Sequence, residues 1–350
     1  MAERSRVDVL LVSPGTTAGW RRVDDGFAEV LRELGLTVAI ATTDFRIARH
    51  LRRTMAVTDL VEAAAMRRAT TRALRRWEPR AIVYSSTQAP MLQPAARIRG
   101  AGVRFDALTT VNRPGWTNAL THALERRVLR LARVLLPSGL SADCRLPTAD
   151  SGAAAVIALP LPIEPAPARA RRPMAVCYAG NPEKKGLDTI AAAWNRLEPS
   201  LTLVVTGIDA AAGRRFLAEQ RVAEPDGVEW AGVVAPDRFR ELTASAELFV
   251  SASRFEDYGL AQLEALADGA LLVTTRSEGP YEALPIAEQL DGRLVSNDLT
   301  KAIRAAQAIR EAERENYRTR ARELLKNHSR EELKRRVKDQ LLPILLPADC

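Results

Sequence analysis

The sequence predicts an α/β protein built from two parallel-sheet domains. Short apolar runs alternate with stretches of helical spacing through both halves of the chain, which is typical of a sheet covered by helices on both faces. The chain has 350 residues, which is more than one ordinary core holds. Five prolines between residues 160 and 173 interrupt the pattern. They predict a linker, because proline fits neither a helix nor a central strand.

The first half of the chain contains six predicted strands, each a short apolar run. The predicted strands are residues 7–13, 38–41, 81–84, 105–109, 134–136 and 156–159. Helical spacing runs from residue 25 to 34 and stops at Gly35, which fits a left-handed helix end. A basic helical stretch covers residues 46–76.

The same pattern restarts after the prolines. Strands are predicted at residues 174–179, 201–206, 228–231, 248–250 and 271–275, and helices at 187–197, 242–246 and 260–267. A charged helical tail follows from residue 299. Ser329 and Glu332 form a capping box, which predicts where the last helix begins. The predicted parts are a domain of residues 1–164, a hinge of 165–173, a domain of 174–325 and a final helix of 326–350.

Composition limits the classes of function. The chain is 47% hydrophobic and 27% charged, as in ordinary globular proteins. No apolar stretch approaches the roughly 20 residues of a membrane span, and no signal-peptide region is visible. We therefore expect a cytoplasmic protein. The three cysteines and three histidines lack the spacing of metal ligands, so no metal site is expected.

The charge of the chain is uneven. Residues 1–172 carry a net charge of +12 and residues 173–350 a net charge of −4. The arginine-rich helical stretches of the first half could contact an anionic membrane surface, such as the inner membrane face, or an anionic acceptor. A solvated basic face, or a genomic bias toward arginine, would give the same pattern.

Two glutamates follow a predicted buried strand. Glu256 falls in the loop after the strand, where the next helix offers free N–H groups. Glu264 lies four residues after Leu260, on or beside the apolar face of that helix. A carboxylate that points toward a core needs a partner, and a pair of sugar hydroxyls is one such partner. Two surface glutamates would also satisfy the spacing.

A second loop joins a predicted strand to a helix at residues 179–190. Gly180 allows the chain to turn, and Gly186 permits close approach of the backbone to a ligand. Lys185, beside the helix start, supplies a point charge suited to phosphate. A surface turn with incidental lysines is the alternative. If the second half forms one parallel sheet, this loop opens on the same edge as the Glu256 loop.

The two loops together resemble the retaining GT-B glycosyltransferases of the family-4 group. That family carries a Gly-Arg…Lys-Gly loop and a Glu-x-Phe-Gly-Leu-x-x-x-Glu element. The matching residues here are Gly180-Asn181…Lys185-Gly186 and Glu256-Asp-Tyr258-Gly259-Leu260…Glu264. The resemblance covers about residues 174–296. It implies two Rossmann-like domains that face a cleft, with the C-terminal helix returning toward the N-terminal domain.

The resemblance also implies a reaction and roles for residues. A sugar would move from a nucleotide-diphosphate sugar to an acceptor held by the N-terminal domain, with retention and with neither a cofactor nor a metal ion. Lys185 would hold the diphosphate, Glu264 the ribose hydroxyls, and Glu256 a hydroxyl of the transferred sugar. Lys185 and Glu256 are therefore the catalytic candidates. Gly180, Asn181, Gly259 and Leu260 complete the donor site, and Gly15 would lie across the cleft.

The chain departs from the family at Asn181, where the family has arginine. Asparagine brings no charge to the leaving diphosphate, and charge-assisted contacts are about twice as strong as neutral ones. Lys184 or Arg254 could supply the missing charge. Without it, the leaving group is less well stabilised and the enzyme is slow.

The acceptor could be a glycan, a lipid-linked sugar or a small molecule. Asn112, Arg113 and Trp116 follow the predicted fourth strand and suit a sugar or phosphorylated acceptor, although a structural turn fits equally well. Asp106 is a candidate base, but it falls inside the predicted strand.

Three rival functions remain open at this stage. A nucleotide-sugar epimerase of the same fold would need a histidine near the donor, and His328 in the tail is the only histidine of the second half. A phosphorylase would need a pyridoxal-binding lysine near its end, where the lysines lie in a charged helical tail. A nucleic-acid-binding protein would fit a sequence pI near 9.8, but aromatic residues make up only 5% of the chain and the basic stretches contain few.

Overall fold

The computed structural model describes residues 4–15, 18–43, 55–139, 155–198, 200–279 and 281–347. The chain divides into two compact units. The first consists of residues 1–162 with residues 328–350, and the second of residues 163–327. Each unit contains one parallel sheet with helices packed against it. The predicted α/β fold with two parallel-sheet units is thus confirmed.

The part of the first unit that precedes residue 163 is described by six strands and five α-helices. The strands are Ser5–Val12 (β1), Val38–Ala41 (β2), Trp77–Tyr84 (β3), Ala101–Phe105 (β4), Val134–Pro137 (β5) and Ala155–Val156 (β6). The helices are Ala18–Glu33 (α1), Met55–Arg76 (α2), Ala95–Arg99 (α3), Thr109–Asn112 (α4) and Ala119–Leu131 (α5), with a 3-10 turn at Trp116–Asn118. The strands are parallel in the order β2-β1-β3-β4-β5-β6.

The second unit is described by five strands and seven α-helices. The strands are Arg172–Tyr178 (β7), Thr202–Thr206 (β8), Glu229–Gly232 (β9), Ala246–Ser251 (β10) and Leu271–Thr274 (β11). The helices are Leu187–Trp194 (α6), Ala210–Glu219 (α7), Pro236–Ser245 (α8), Leu260–Ala267 (α9), Ala283–Asp291 (α10), Leu299–Gln307 (α11) and Glu311–Leu324 (α12), with 3-10 turns at Gly292–Leu294 and Leu325–His328. The parallel order is β11-β10-β7-β8-β9.

The end of the chain belongs to the first unit. It forms Arg330–Arg336 (α13), a π turn at Val337–Leu341, and Leu342–Leu345 (α14). The hydroxyl of Ser329 accepts a hydrogen bond from the Glu332 N–H at 3.1 Å, so the predicted helix start is confirmed. Pro343 lacks an N–H, and a wider π turn precedes it. Four apolar residues at intervals of four pack in the core beside α1: Leu333, Val337, Leu341 and Leu345.

The prediction for the fourth strand is wrong. The strand covers Ala101–Phe105, and the chain then turns into α4. The prediction failed here because Gly102 interrupts the apolar run of this strand, and glycine weakens a strand pattern. Its missing side chain serves packing, since a Cβ there would lie 3.2 Å from the Leu136 Cδ1 atom. Asp106 therefore follows the strand instead of lying within it.

Two further boundaries differ from the predictions, and a third cannot be compared. Pro173 lies in β7, the central strand of the second sheet; it is the second residue of that strand, where few ladder bonds are lost. The helix predicted at 242–246 is α8, Pro236–Ser245, and Ala246 already begins β10. The first residues of the basic stretch 46–76 lie outside the described residues, and α2 begins at Met55.

The thiol of Cys177 reports on the integrity of the second unit. Cys177 lies in β7 with no exposed surface, and burial raises the pKa of its thiol to about 12. We predict that iodoacetamide at pH 8 leaves Cys177 of the native protein unmodified and alkylates it once denaturant unfolds the unit, because the thiolate is the nucleophile. Mass spectrometry of the Cys177 peptide measures this, and rapid alkylation with unchanged circular dichroism would contradict it.

Candidate functional site

The two predicted motifs follow neighbouring strands of the second sheet. β7 and β10 are paired in parallel, with Leu248 beside Ala175 and Phe249 beside Val176. The loop of residues 179–186 follows β7, and the loop of residues 252–259 follows β10. Because parallel strands end at the same edge, both loops open where ligands bind in sheets of this kind.

Lys185 and Glu256 join these two loops. The Lys185 Nζ atom lies 2.6 Å from the Glu256 Oε1 atom, with the side chains 19% and 5% exposed. The same oxygen accepts hydrogen bonds from the Ser253 hydroxyl at 2.6 Å and the Gln262 amide at 2.8 Å. A carboxylate at this depth is costly without such partners. Lys185, Ser253 and Gln262 thus hold the carboxylate in one position where the two loops meet.

Two further ion pairs join the loop of residues 252–259 to the Lys185 loop and to α6, which follows that loop. The Lys184 Nζ atom lies 2.6 Å from the Asp257 Oδ2 atom, and the Arg254 Nη2 atom lies 2.6 Å from the Asp188 Oδ2 atom. The side chain of Asn181 accepts a hydrogen bond from the Lys184 N–H at 3.0 Å and thereby stabilises the turn. Both cations that could replace an arginine at Asn181 are thus paired with carboxylates.

Two glycines allow the loops to pack closely. Gly186 has a φ of 65°, and a Cβ atom there would lie 2.0 Å from the Ala252 carbonyl oxygen. Gly259 has a φ of 87°, and a Cβ atom there would lie 2.5 Å from the Tyr281 ring. It directly precedes Leu260, the first residue of α9. At Gly186 a side chain would separate the loops that carry Lys185 and Glu256, and at Gly259 it would clash with the Tyr281 ring beside the Glu256 loop.

Glu264 has a cationic neighbour that the sequence analysis missed. Its side chain is 11% exposed, and its Oε1 atom lies 3.4 Å from the Arg240 Nη1 atom. Arg240 is also paired with Asp268, at 2.5 Å between Nη2 and Oδ1. The sequence offered only a weak signal for this pair, namely a charged residue among the apolar positions of each element. Arg240 falls among the buried positions of α8, and Asp268 directly follows the buried helix α9. Nothing in the sequence joins residues 28 positions apart.

The two remaining donor-site candidates, Gly180 and Gly15, lie in different units. Gly180 begins the loop after β7, where a Cβ atom would lie 2.3 Å from the Tyr178 hydroxyl. Gly15 lies in the first unit after β1, and its carbonyl accepts a hydrogen bond from Arg21 at 2.7 Å.

The acceptor candidates also lie in the first unit. Asn112 is exposed at the end of α4, and Trp116 is 87% exposed. Arg113 pairs instead with the buried carboxylate of Asp59. Burial raises the pKa of Asp59, and the charge of Arg113 opposes that shift. Arg113 therefore holds its loop against α2, while Asn112 and Trp116 face solvent.

The second unit matches a known family. Residues 173–312 match the family described as glycosyl transferases group 1, so this part of the chain is a glycosyl transferases group 1 domain. None of the curated proteins compared with the chain matches it in sequence.

Solved structures match both units together. Sucrose-phosphate synthase from Thermosynechococcus elongatus is 17% identical, with 99% of this chain and 100% of that chain covered and a TM-score of 0.72. Anabaena HepE, determined with UDP and glucose, is 14% identical over 97% of this chain and 99% of its own, with a TM-score of 0.65. Trehalose 6-phosphate synthase from Burkholderia multivorans is 13% identical over 97% of this chain and 98% of its own, with a TM-score of 0.66. At these identities the likeness shows the fold, which is that of the GT-B glycosyltransferases.

The contact between the loops depends on Gly186, and substitution tests this. We predict that Gly186→Ala destabilises the second unit by several kcal/mol, because a left-handed alanine costs about 1–2 kcal/mol and the backbone clash adds to it. Gly227→Ala is the matched control, since Gly227 has a φ of 68° with open space around it. The rate of Cys177 alkylation in mild denaturant compares the two variants. Equal rates would show that the close approach at Gly186 is unimportant.

Proposed function

We propose that this protein is a glycosyltransferase that moves a sugar from a nucleotide-diphosphate sugar to an acceptor. The second unit binds the donor, and the first unit binds the acceptor, a glycan, a lipid-linked sugar or a small molecule. The reaction retains the anomeric configuration and uses neither a cofactor nor a bound metal ion. The observation that carries the proposal is the Lys185–Glu256 pair at the carboxyl edge of a glycosyl transferases group 1 domain.

The residues of this edge fit the parts of a nucleotide sugar. Lys185 would donate to the diphosphate as the bond to the sugar breaks, because catalysis of this reaction consists mainly of stabilising the charge on the leaving group. The N–H groups after Gly259 and Leu260 would add to this at the start of α9. Glu256 would accept from a sugar hydroxyl, and Glu264 from the ribose. HepE, which has a similar fold, was determined with UDP and glucose.

The neutral Asn181 sets the strength of this stabilisation. Asn181 contributes to the turn through the Lys184 N–H, while the Lys184 and Arg254 side chains are paired with Asp257 and Asp188. Lys185 is also paired, with Glu256, and on this proposal it exchanges that partner for the diphosphate and is the principal cation of its loop. We therefore propose a leaving group that is less strongly stabilised than in relatives with the arginine, and a correspondingly slow turnover.

A donor panel tests the assignment. We predict that one class among UDP-, GDP-, dTDP- and ADP-sugars raises the melting temperature of the wild type by several degrees, since ligand at a hundredfold excess over Kd stabilises by about 2.7 kcal/mol. Glu264→Ala should abolish that shift. Glu256→Ala should keep much of it and lose turnover.

Glu183→Gln is the matched control for these variants. Glu183 is exposed in the same loop and has no role in the proposed donor site. Its variant should keep both the shift and the turnover. Full activity in both Glu264→Ala and Glu256→Ala would refute the site, and no shift with any nucleotide sugar would refute the proposed donor.

We also propose that the first unit makes peripheral contact with the inner face of a membrane, in the cytoplasm. Among the described residues no helix is long and apolar enough to cross a bilayer. The last three turns of α2 carry an arginine face, defined here as Arg67, Arg68, Arg72 and Arg75, all of them exposed. These residues line a surface groove, and the helix has no acidic residue after Glu62.

Exposed apolar side chains accompany the arginine face. Trp116 is 87% and Leu120 60% exposed, and their 3-10 turn and helix α5 both contact α2. The cytoplasmic leaflet is negatively charged and attracts basic surfaces by about 1 kcal/mol per arginine. Tryptophan suits the bilayer interface, because it combines a large apolar ring with one polar group. The combination of charge and exposed apolar area favours an anionic bilayer.

Vesicle sedimentation tests this contact. We predict binding to phosphatidylglycerol vesicles, little binding to phosphatidylcholine vesicles, and release at about 1 M salt, where charges are screened beyond about 3 Å. Arg68→Glu/Arg72→Glu should weaken binding at least tenfold. Arg215→Glu/Lys301→Glu changes two exposed cations of the second unit and should leave binding intact. Equal loss in both variants would show that only total charge matters and would refute the arginine face.

A further inference from the structure

Arg240 and Asp268 form a buried ion pair beside Glu264. Both Arg240 nitrogens Nε and Nη2 donate to the Asp268 carboxylate, at 2.8 and 2.5 Å, and the two side chains are 10% and 0% exposed. Asp268 also accepts from the Thr243 hydroxyl at 2.5 Å. The remaining terminal nitrogen, Nη1, lies 3.4 Å from the Glu264 Oε1 atom. The guanidinium therefore bridges two carboxylates.

The segment that begins the second unit is part of the same cluster. The Arg240 Nη2 atom donates to the Glu164 carbonyl at 2.5 Å, and the Ala166 N–H donates to the Asp268 carboxylate at 2.7 Å. Arg240 is thus fixed by α8, by the residue after α9 and by the segment before β7. Burial acts to lower the pKa of Arg240, but the bonds and charges of Asp268 and Glu264 raise it above its ordinary value. The guanidinium stays charged.

Stability alone does not account for this arrangement. A buried ion pair contributes little more than a well-packed apolar pair, because both charges must be removed from water. What the pair adds is a rigid cation at a set place. Asp268 holds the guanidinium from one side, so the guanidinium in turn restrains the Glu264 carboxylate on the other side.

We propose that Arg240, held by Asp268, is a positioning residue for Glu264 and makes the donor site select ribose over 2′-deoxyribose. The inference rests on the proposed function, in which Glu264 accepts from the ribose hydroxyls. A site rejects an analogue that lacks a hydroxyl when the buried acceptor is left unpaired. A mobile carboxylate would turn to water or another partner and discriminate little. A carboxylate restrained by Arg240 turns less readily to other partners, so the missing hydroxyl weakens binding more.

Calorimetric titration with nucleoside diphosphates and their 2′-deoxy analogues tests the inference. The probe pairs are UDP with 2′-deoxy-UDP, GDP with 2′-deoxy-GDP, and ADP with 2′-deoxy-ADP. For the pair that binds the wild type, we expect the deoxy analogue to bind at least tenfold more weakly. In Arg240→Met/Asp268→Leu, which removes both charges together, the ratio should fall below about threefold. Arg240→Lys, which keeps the charge, should retain an intermediate ratio.

A second ion pair, partly buried, provides the matched control. Arg314 and Glu247 lie 2.9 Å apart between Nη1 and Oε2, and Glu247 is at the opposite end of β10 from the site loops. Arg314→Met/Glu247→Leu should keep the wild-type ratio. Protection of Cys177 from alkylation establishes that each variant is folded, and an unfolded double variant is replaced by Arg240→Lys, whose ratio must then fall below that of the wild type.

The outcomes separate the inference from the proposed function. Binding of a ribonucleotide with an unchanged ratio in the double variant, or equal weakening of both members of the pair, would overturn the role of Arg240 alone. Tightest binding of a 2′-deoxynucleotide by the wild type would do the same. Failure of every nucleotide to bind the wild type would overturn the proposed function and the inference with it.

Discussion

The parallel pairing of β7 with β10 is the constraint on which the candidate site depends. These strands lie 68 or more residues apart in sequence, counted from Tyr178 to Ala246, and they become neighbours only in the folded sheet. Because both are parallel, the loops that follow them leave the sheet at one edge. Lys185 and Glu256 then meet at hydrogen-bonding distance. The close approach at Gly186 and the ion pair of Arg254 with Asp188 help to hold Lys185 and Glu256 together.

Charge at this edge is paired before any ligand binds. Four carboxylates each have a cationic neighbour, in the pairs Lys185–Glu256, Lys184–Asp257, Arg254–Asp188 and Arg240–Glu264. A half-buried charge without a partner would cost several kcal/mol, so the pairing keeps the edge rigid and folded. On the proposed function, a nucleotide sugar would replace the existing ion-pair partners of these side chains instead of entering a site with unpaired charges. The diphosphate would replace Glu256 at Lys185, and a sugar hydroxyl would replace Lys185 at Glu256.

Most of the fold could be predicted from the sequence, because buried parallel strands are continuous apolar runs. The run at residues 134–136 was sufficient to identify β5. The strand at Ala101–Phe105 was missed, since its glycine interrupts the run for a packing reason that only the neighbouring Leu136 explains. The meeting of the two site loops was also predictable, from strand order and loop position. The Arg240–Asp268 pair was not, because its partners are joined by the packing of α8 on α9 and no spacing rule connects them.

At the corresponding edge of the first sheet, one pair of charged side chains is buried and out of reach of a ligand. Ser13, which follows β1, donates to the buried carboxylate of Asp24, and Arg104 of β4 lies 3.1 Å from that carboxylate. Burial raises the pKa of Asp24, and the charge of Arg104 opposes the shift. The Arg104 guanidinium also stacks on the Phe27 ring at 4.4 Å. Both side chains are 6% exposed or less, so neither is presented to a ligand. On the proposed function, acceptor recognition by the first unit would therefore use its exposed loops and helix faces rather than this pair, and such surfaces are freer to vary in sequence than a buried pair.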